Sequence, residues 1–406
     1  MELSFRSATE EDLDRLLEVG LAAYPDVRSA EERRRGLTAN PFGALSDLVV
    51  AEHDGTIVAQ AFNYPLESFF GGKRLSVGGI ASVAVAPEAR GRGVGRALLR
   101  HLHDLSDRRG DAVTMLFAFR HHFYESLGYA PTSSRKRLAI DSRAIPESWC
   151  DLARGRVRAA TGNDRREIER AHLRAAARAS GWIVRPEALW QRLFARERRF
   201  ILVAENDGAL AGYVAFMIAQ SEAHAEQVLE VDELCADDPT TRRALLGGLG
   251  LMRDQVAEIV IEVAADDPLD QVLLDPDGRR FGTAAVEHSL GEIVGGPMIR
   301  IEDVTRAIEA RGYEGSGTFD VVLGQSENPA DDIAVSVRIE EGRAEVGPAL
   351  GGSKLRTTRA GLAAIFYGGL RASHAVALGL ADADPRTAAR IDAMAALPPV
   401  FALDAF

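Results

Sequence analysis

The sequence predicts an α/β fold in two similar halves, followed by a smaller α+β domain. Strand and helix signals alternate through residues 1–147. Two separate segments of that stretch recur downstream at nearly one offset. Near residue 291 the character changes to a cleanly alternating strand and apolar helices. The expected domains are 1–147, 148–290 and 291–406.

In the first domain, "SATEEDLDRLLEVGLAAY" has helix-start residues Ser7 and Thr9, with Leu13, Leu16, Leu17 and Gly20 along one side, so it reads as an amphipathic helix. "LSDLVVAEHDGTIVAQAFNY" reads as two strands around an Asp54-Gly55 turn. "LSVGGIASVAVAP" is apolar on both parities, as a strand buried on both faces is, and Pro87 stops it. A glycine-rich loop opens a helix in which Val94, Leu98, Leu102 and Leu105 keep helical spacing and Gly110 ends the run. "AVTMLFAF" is the next buried strand.

The repeat matches "VAEHDGTIVAQ" from Val50 to "VAENDGALAGY" from Val203, an offset of 153. "SVAVAPEARGRGVGRALL" aligns with "ELCADDPTTRRALLGGL" through Pro87 and Pro239, an offset of 152. Near-constant offsets over separate segments argue for duplicated domains. Beyond 291, Ile333, Val335, Val337 and Ile339 alternate along one strand. "TTRAGLAAIFYGGLRASHAVALGL" and "DPRTAARIDAMAAL" are helical, and Pro398-Pro399 break the last helix.

Composition narrows the function. With 406 residues, 46% hydrophobic and 27% charged, the chain is globular. No window reaches the ~18 consecutive apolar residues of a membrane helix. The acidic, polar start "MELSFRSATEEDL" does not read as a signal peptide. Two cysteines far apart, Cys150 and Cys235, exclude a disulfide framework and make a reducing cytoplasm the expected location. A net charge of −12 speaks against nucleic acid and mildly favours cationic small molecules or basic peptides. No His or Cys spacing suits a metal.

The segment richest in chemistry is Arg90-Gly91-Arg92-Gly93-Val94-Gly95, followed by Arg96. Its glycines let the backbone approach a ligand closely. Its N–H groups fall at a helix N-terminus, where an anion is favoured, and three arginines add positive charge. A pyrophosphate is the natural guest. In the second copy Gly93 becomes Leu245, Arg92 becomes Ala244, and Val85-Ala86 become Asp237-Asp238, which would exclude and repel such a guest.

An Arg-x-x-Gly-x-Gly loop after a hairpin and a long strand resembles the GNAT superfamily of N-acetyltransferases. The resemblance implies that the loop grips the pyrophosphate of acetyl-CoA and that Val83, Ala84 and Val85 line up with its pantetheine arm. It also implies that the next strand, ending Phe119-Arg120, splays away to admit the thioester. The family often places a Tyr near the thioester sulfur, and Tyr124 in "RHHFYESLGYAPT" matches that position. Tyr129 is expected to pack, and His121 and His122 are rivals for proton transfer on chemistry alone.

Taken whole, the chain is similar to the Eis-type acetyltransferases: a GNAT domain, a degenerate second GNAT domain, and a C-terminal domain like sterol carrier protein. The resemblance implies a homohexamer that acetylates amines of cationic small molecules such as aminoglycosides. It assigns the general acid to Tyr124 and the general base to the terminal carboxylate of Phe406. The apolar end "LPPVFALDAF" then serves to pin that carboxylate, with Val400, Phe401, Leu403 and the Phe406 ring as the clamp. Asp26 and Asp404 are expected beside the acceptor amine. Two departures from the family are Ala405, where an acid is expected, and the arginines Arg33, Arg34 and Arg35 in place of an aromatic. The alternatives are acetylation of a protein lysine or N-terminus, and a lipid binder working through the C-terminal domain.

Overall fold

The computed structural model describes residues 2–25, 29–132, 134–196, 198–220, 227–273, 290–324, 332–398 and 400–406. The chain divides into two compact units. One comprises Met1–Thr132, Ser180–Arg192 and Gly296–Phe406, the other Ser133–Ala179 and Leu193–Gly295. The expected cuts near 147 and 290 are therefore displaced, because each neighbouring segment lends strands to a sheet that is not its own.

In the first unit, β1 (Ser4–Ser7), β2 (Leu48–His53), β3 (Thr56–Phe70), β4 (Lys73–Val85), β5 (Val113–Leu116) and β6 (Ala130–Pro131) form one sheet. β14 (Met298–Ile301) joins it, in the order β1-β2-β3-β4-β5-β14-β6. The β2–β3 turn is the expected one, with Asp54 at φ 50° and Gly55 at φ 73°. Helices α1 (Leu13–Ala23) and α2 (Ala30–Thr38) precede β2, and α1 packs on β3 and β4. Helix α3 (Val94–Arg109) ends at Gly110 in the left-handed region, and the short α4 (His121–Glu125) follows β5. Leu98, Leu99 and Leu102 of α3 pack with Ala59, Ala61 and Ile80, so α3 covers the sheet face opposite to α1.

A second sheet in this unit, ordered β17-β16-β15-β18-β19, is built from β15 (Gly317–Leu323), β16 (Ile333–Glu340), β17 (Arg343–Pro348), β18 (Lys354–Thr357) and β19 (Ala381–Asp382). Helix α10 (Val304–Ala310) precedes it, and α11 (Arg359–Phe366), α12 (Ala372–Ala377) and α13 (Pro385–Ala395) complete the region. The single apolar helix expected after Thr357 is broken into α11 and α12 at Gly368-Gly369, Gly369 taking φ 76°.

The second unit holds β7 (Arg135–Asp141), β8 (Val157–Ala159), β9 (Arg199–Asn206), β10 (Ala209–Gln220), β11 (Gln227–Ala236), β12 (Glu258–Ala264) and β13 (Gly291–Val294), ordered β13-β7-β12-β11-β10-β9-β8. Helices α5 (Glu147–Arg154), α6 (Arg165–Arg178), α8 (Pro239–Gly250) and α9 (Leu269–Val272) belong to it, and α7 (Glu187–Phe194) begins in the first unit's segment. The β9–β10 turn has Asp207 at φ 50° and Gly208 at φ 79°, reproducing the β2–β3 turn of the first copy.

Candidate active site

The glycine loop lies between β4 and α3. Gly91 and Gly93 sit at φ 74° and 78°, and a Cβ on either would meet only open space. No side chain caps the start of α3, whose first turn carries no acid. Its free N–H groups are thus open to an anion, and a pyrophosphate fits the residues present. Arg92 is exposed, and Arg96 donates to Ser126 Oγ at 3.2 Å. Arg90, expected to face the guest, is exposed but folds back along the surface onto backbone carbonyls. Its Nε donates to Val85 O at 3.2 Å and its Nη2 to Ala22 O at 2.9 Å, bracing the loop against β4 and α1.

β4 carries a bulge opposite β3 between Gln60 and Phe62, and Ser82 takes φ 52° there. The carbonyl of Val83 accepts from the Tyr24 hydroxyl at 2.9 Å. The β4–β5 ladder covers Val77–Gly79 against Val113–Met115 and then stops. β5 ends at Leu116, so Phe119 and Arg120 lie beyond the strand that was expected to include them. Both are exposed, and the Phe119 ring stands edge-on to Tyr124 at 6.4 Å.

Tyr124 is buried, packed in the α3-side core. Burial pushes its phenol above the ordinary tyrosine range. Its hydroxyl has no hydrogen-bond partner among the described residues. Tyr129 is employed differently: its hydroxyl is hydrogen-bonded to His103 Nε2 at 3.1 Å and Thr114 Oγ1 at 3.0 Å, and Thr114 donates to Glu302 Oε1 at 2.6 Å. His121 and His122 are exposed, the His122 side chain almost fully so.

On the opposite face of the sheet lies the last residue. The Phe406 ring is surrounded by Phe42, Tyr64 and Phe117, at centroid distances of 6.0, 6.4 and 5.8 Å. A Cβ on Gly79 would stand 2.6 Å from Leu66 Cδ1 and 3.1 Å from Phe406 Cε2, so the glycine leaves both side chains room against β4. Gly79 is also the last residue of the β4–β5 ladder. The Phe406 ring therefore lies where the two strands part.

Beside it, on the same face, is a cavity of about 570 Å³ between α1, α2, β3 and β4. Phe62, which stacks on Tyr64 at 4.6 Å, and the bulged Ser82 belong to its wall. So does Gln60, almost fully buried, its Oε1 without a partner among the described residues. Among the described residues, the charged lining of the cavity is Glu32, Arg33, Arg35 and Arg192. Arg34 points elsewhere, to Asp14 at 2.6 Å. Asp26 lies outside the described residues. Asp404, expected beside the amine, is instead held by Arg185, whose Nε lies 3.1 and 2.8 Å from its two oxygens.

Residues 4–132 match the family model described as an acetyltransferase (GNAT) domain, and residues 181–301 match a second model of the same description. The chain belongs to the GNAT acetyltransferases. It is similar to the N-acetyltransferase Eis of Mycobacterium tuberculosis, with 28% identity covering 97% of this chain and 96% of the relative. Among solved structures, a GCN5-related N-acetyltransferase from Kribbella flavida matches with TM-score 0.80 at 25% identity, covering 100% of this chain and 98% of the other. Eis1 of Mycobacterium abscessus shares the fold, with TM-score 0.78 at 21% identity over 99% of this chain and all of the other. This acyltransferase is thus Eis-like over its length and carries two tandem GNAT domains, and its acetyl donor is acetyl-CoA. Among the described residues, no helix is long and apolar enough to cross a membrane.

Proposed function

We propose that the protein acetylates primary amines of cationic small molecules, aminoglycosides among them, by direct transfer, with Tyr124 as general acid and the Phe406 carboxylate as general base. The observation that supports this best is the seat of Phe406 at the parting of β4 and β5. It shares a face with the cavity, while Tyr124 packs on the other face. An amine in the cavity and a thioester threaded between the strands would meet between these two groups.

Acetyl-CoA supplies the acetyl group as a thioester. The glycine loop, Arg92 and Arg96 hold its pyrophosphate, and Val83, Ala84 and Val85 guide the arm. The amine must shed a proton as the C–N bond forms, and the sulfur must gain one as the C–S bond breaks. The Phe406 carboxylate accepts the first. Tyr124 Oη, protonated at neutral pH as any phenol of pKa ~10 is and raised further by burial, delivers the second. A free α-carboxylate has pKa ~3.3–3.7, so the base needs partial burial or a relaying water.

Among the described residues the cavity wall carries three arginines, one of which, Arg35, is paired with Glu31, against Glu32, and that balance disfavours the most highly charged polycations. Among amines, those of lower charge are therefore expected to give the lower KM. The test is release of CoA over aminoglycosides, short polyamines and basic peptides, for the natural chain and for one with residues appended after Phe406. The expected result is turnover on small amines that the extension abolishes while acetyl-CoA still binds. Full turnover by a folded extended chain would remove the terminal carboxylate from the mechanism, and turnover on peptides alone would replace the substrate class. The same family reading carries a homohexamer, which sedimentation measures directly.

A further inference from the structure

We infer that Arg185 and Asp404 are positioning residues: their ion pair sets how far the end of the chain reaches along the sheet, and so where the Phe406 carboxylate stands. The inference rests on the reading of that carboxylate as the base.

The tail is registered at its near end by backbone pairing. Residues 181–184 run beside the end of β3, with Gly181 N donating to Phe69 O at 2.9 Å, Phe69 N to Trp182 O at 3.0 Å and Val184 N to Glu67 O at 2.8 Å. Ser180 in turn pairs with Val400, and Phe401 N donates to Ser180 O at 3.0 Å. Gly181 takes φ 86°, and a Cβ there would fall 2.5 Å from Val400 Cγ1. The tail is thus tied, through one intervening segment, to the strand that carries Phe62 and Tyr64.

From that anchor two contacts hold the far end of the tail. Val400 and Ala402 are buried, Ala405 is exposed, and Phe401, Leu403, Asp404 and Phe406 are half-buried as whole residues. The Asp404 side chain is only 9% exposed, held by Arg185, and the Phe406 ring enters its aromatic seat. The side chains held inward at the far end are thus Asp404 and Phe406. At ~3.3 Å per residue, Asp404 stands only about 7 Å of backbone from the terminus.

The partner is built for accuracy. The Arg185 side chain is 3% exposed, its Nε faces both Asp404 oxygens, and its guanidinium lies 4.8 Å from the Trp190 ring centroid. Buried ion pairs stabilise little compared with apolar replacements of equal volume. What the pair supplies is a direction and a distance that apolar contacts leave loose. Placement of a reacting group within an ångström governs rate far more than binding.

The experiment compares the natural chain with Asp404→Asn, Arg185→Gln, the apolar pair Arg185→Met/Asp404→Leu, and the chain extended after Phe406. It reads kcat, KM for acetyl-CoA, melting temperature and hydrogen exchange of residues 400–406. The expected result is a kcat lower by roughly 10–100-fold in the two single variants, with KM for acetyl-CoA unchanged and faster exchange in the tail. The apolar pair is expected to melt as the natural chain does yet show the same loss, which a purely structural role would not produce. Natural kcat in the folded apolar pair or in Asp404→Asn, while the extension abolishes turnover, would overturn the inference and leave the base reading standing. Natural kcat in the extended chain would overturn both.

Discussion

Tyr124 and Tyr129 stand five residues apart, with rings 5.9 Å apart, yet only one has a hydroxyl to spare. Tyr129 is committed to His103 and Thr114, whereas Tyr124 has no partner among the described residues. Replacing Tyr124 by Phe keeps the packing and removes only the donor. It is expected to lower kcat by roughly 100-fold or more and to leave the KM for acetyl-CoA unchanged, by steady-state kinetics of CoA release. An unchanged kcat would clear Tyr124 of the role. Because burial raises its phenol, Tyr124 stays protonated through the range where free tyrosine, with pKa ~10, begins to ionise. No basic limb of the kcat profile below that range is expected to vanish in the Phe variant.

At the scale of elements, the inner face of α3 carries a titratable group into the core. His103 is buried, and burial, with Arg300 and Arg359 nearby, lowers it to about 2. The folded chain therefore binds fewer protons there than the unfolded chain once pH drops below the free value of ~6.5. Stability from this site is full above that pH and declines toward about 2. Glu302, raised by burial, acts with the opposite sign, since stability falls as pH rises through its titration. The difference between the natural chain and His103→Gln isolates the histidine: the natural chain's melting temperature is expected to fall more steeply between pH 6.5 and 4. Equal slopes would remove His103 as the cause. The helix itself was legible, since Val94, Leu98 and Leu102 repeat at helical spacing and Gly110 stops it. So was the Asp54-Gly55 hairpin. The polar network was not, because Glu302 reaches Thr114 across 188 residues. Gly78-Gly79 inside an apolar strand is a local sign of close approach, and it marks where Ser106 meets β4 and where Leu66 and Phe406 crowd Gly79. The tail was legible as apolar, but not which of its residues are buried. Ala402, rather than Phe401 or Leu403, is the buried clamp beside Val400, because backbone pairing with Ser180 sets which side chains face inward there.

For the whole molecule, duplication raises the question of how many acetyl-CoA sites a chain holds. The two copies keep the same hairpin and the same strand-loop-helix order, but their helix N-termini are used differently. α3 opens on Gly93 with no side-chain cap and no acid in its first turn. α8 opens on Asp238, whose Oδ1 accepts from Thr240 N at 2.8 Å and Thr241 N at 2.9 Å, a cap contributing about 1 kcal/mol. Asp237 beside it is bound by Arg174 at 2.7 Å. The N–H groups that would hold a phosphate are already satisfied by a carboxylate, and Leu245, matched to Gly93 by the sequence offset, lies inside α8, which begins at Pro239 with no preceding glycine loop. One acetyl-CoA per chain is therefore expected, by titration calorimetry against chain concentration. Gly93→Leu, which places a branched side chain at φ 78° in a position costing roughly 1–2 kcal/mol for any non-glycine residue, is expected to remove that binding while the chain stays folded. A stoichiometry of two, or binding that survives Gly93→Leu, would mean that the second copy still works as a cofactor domain.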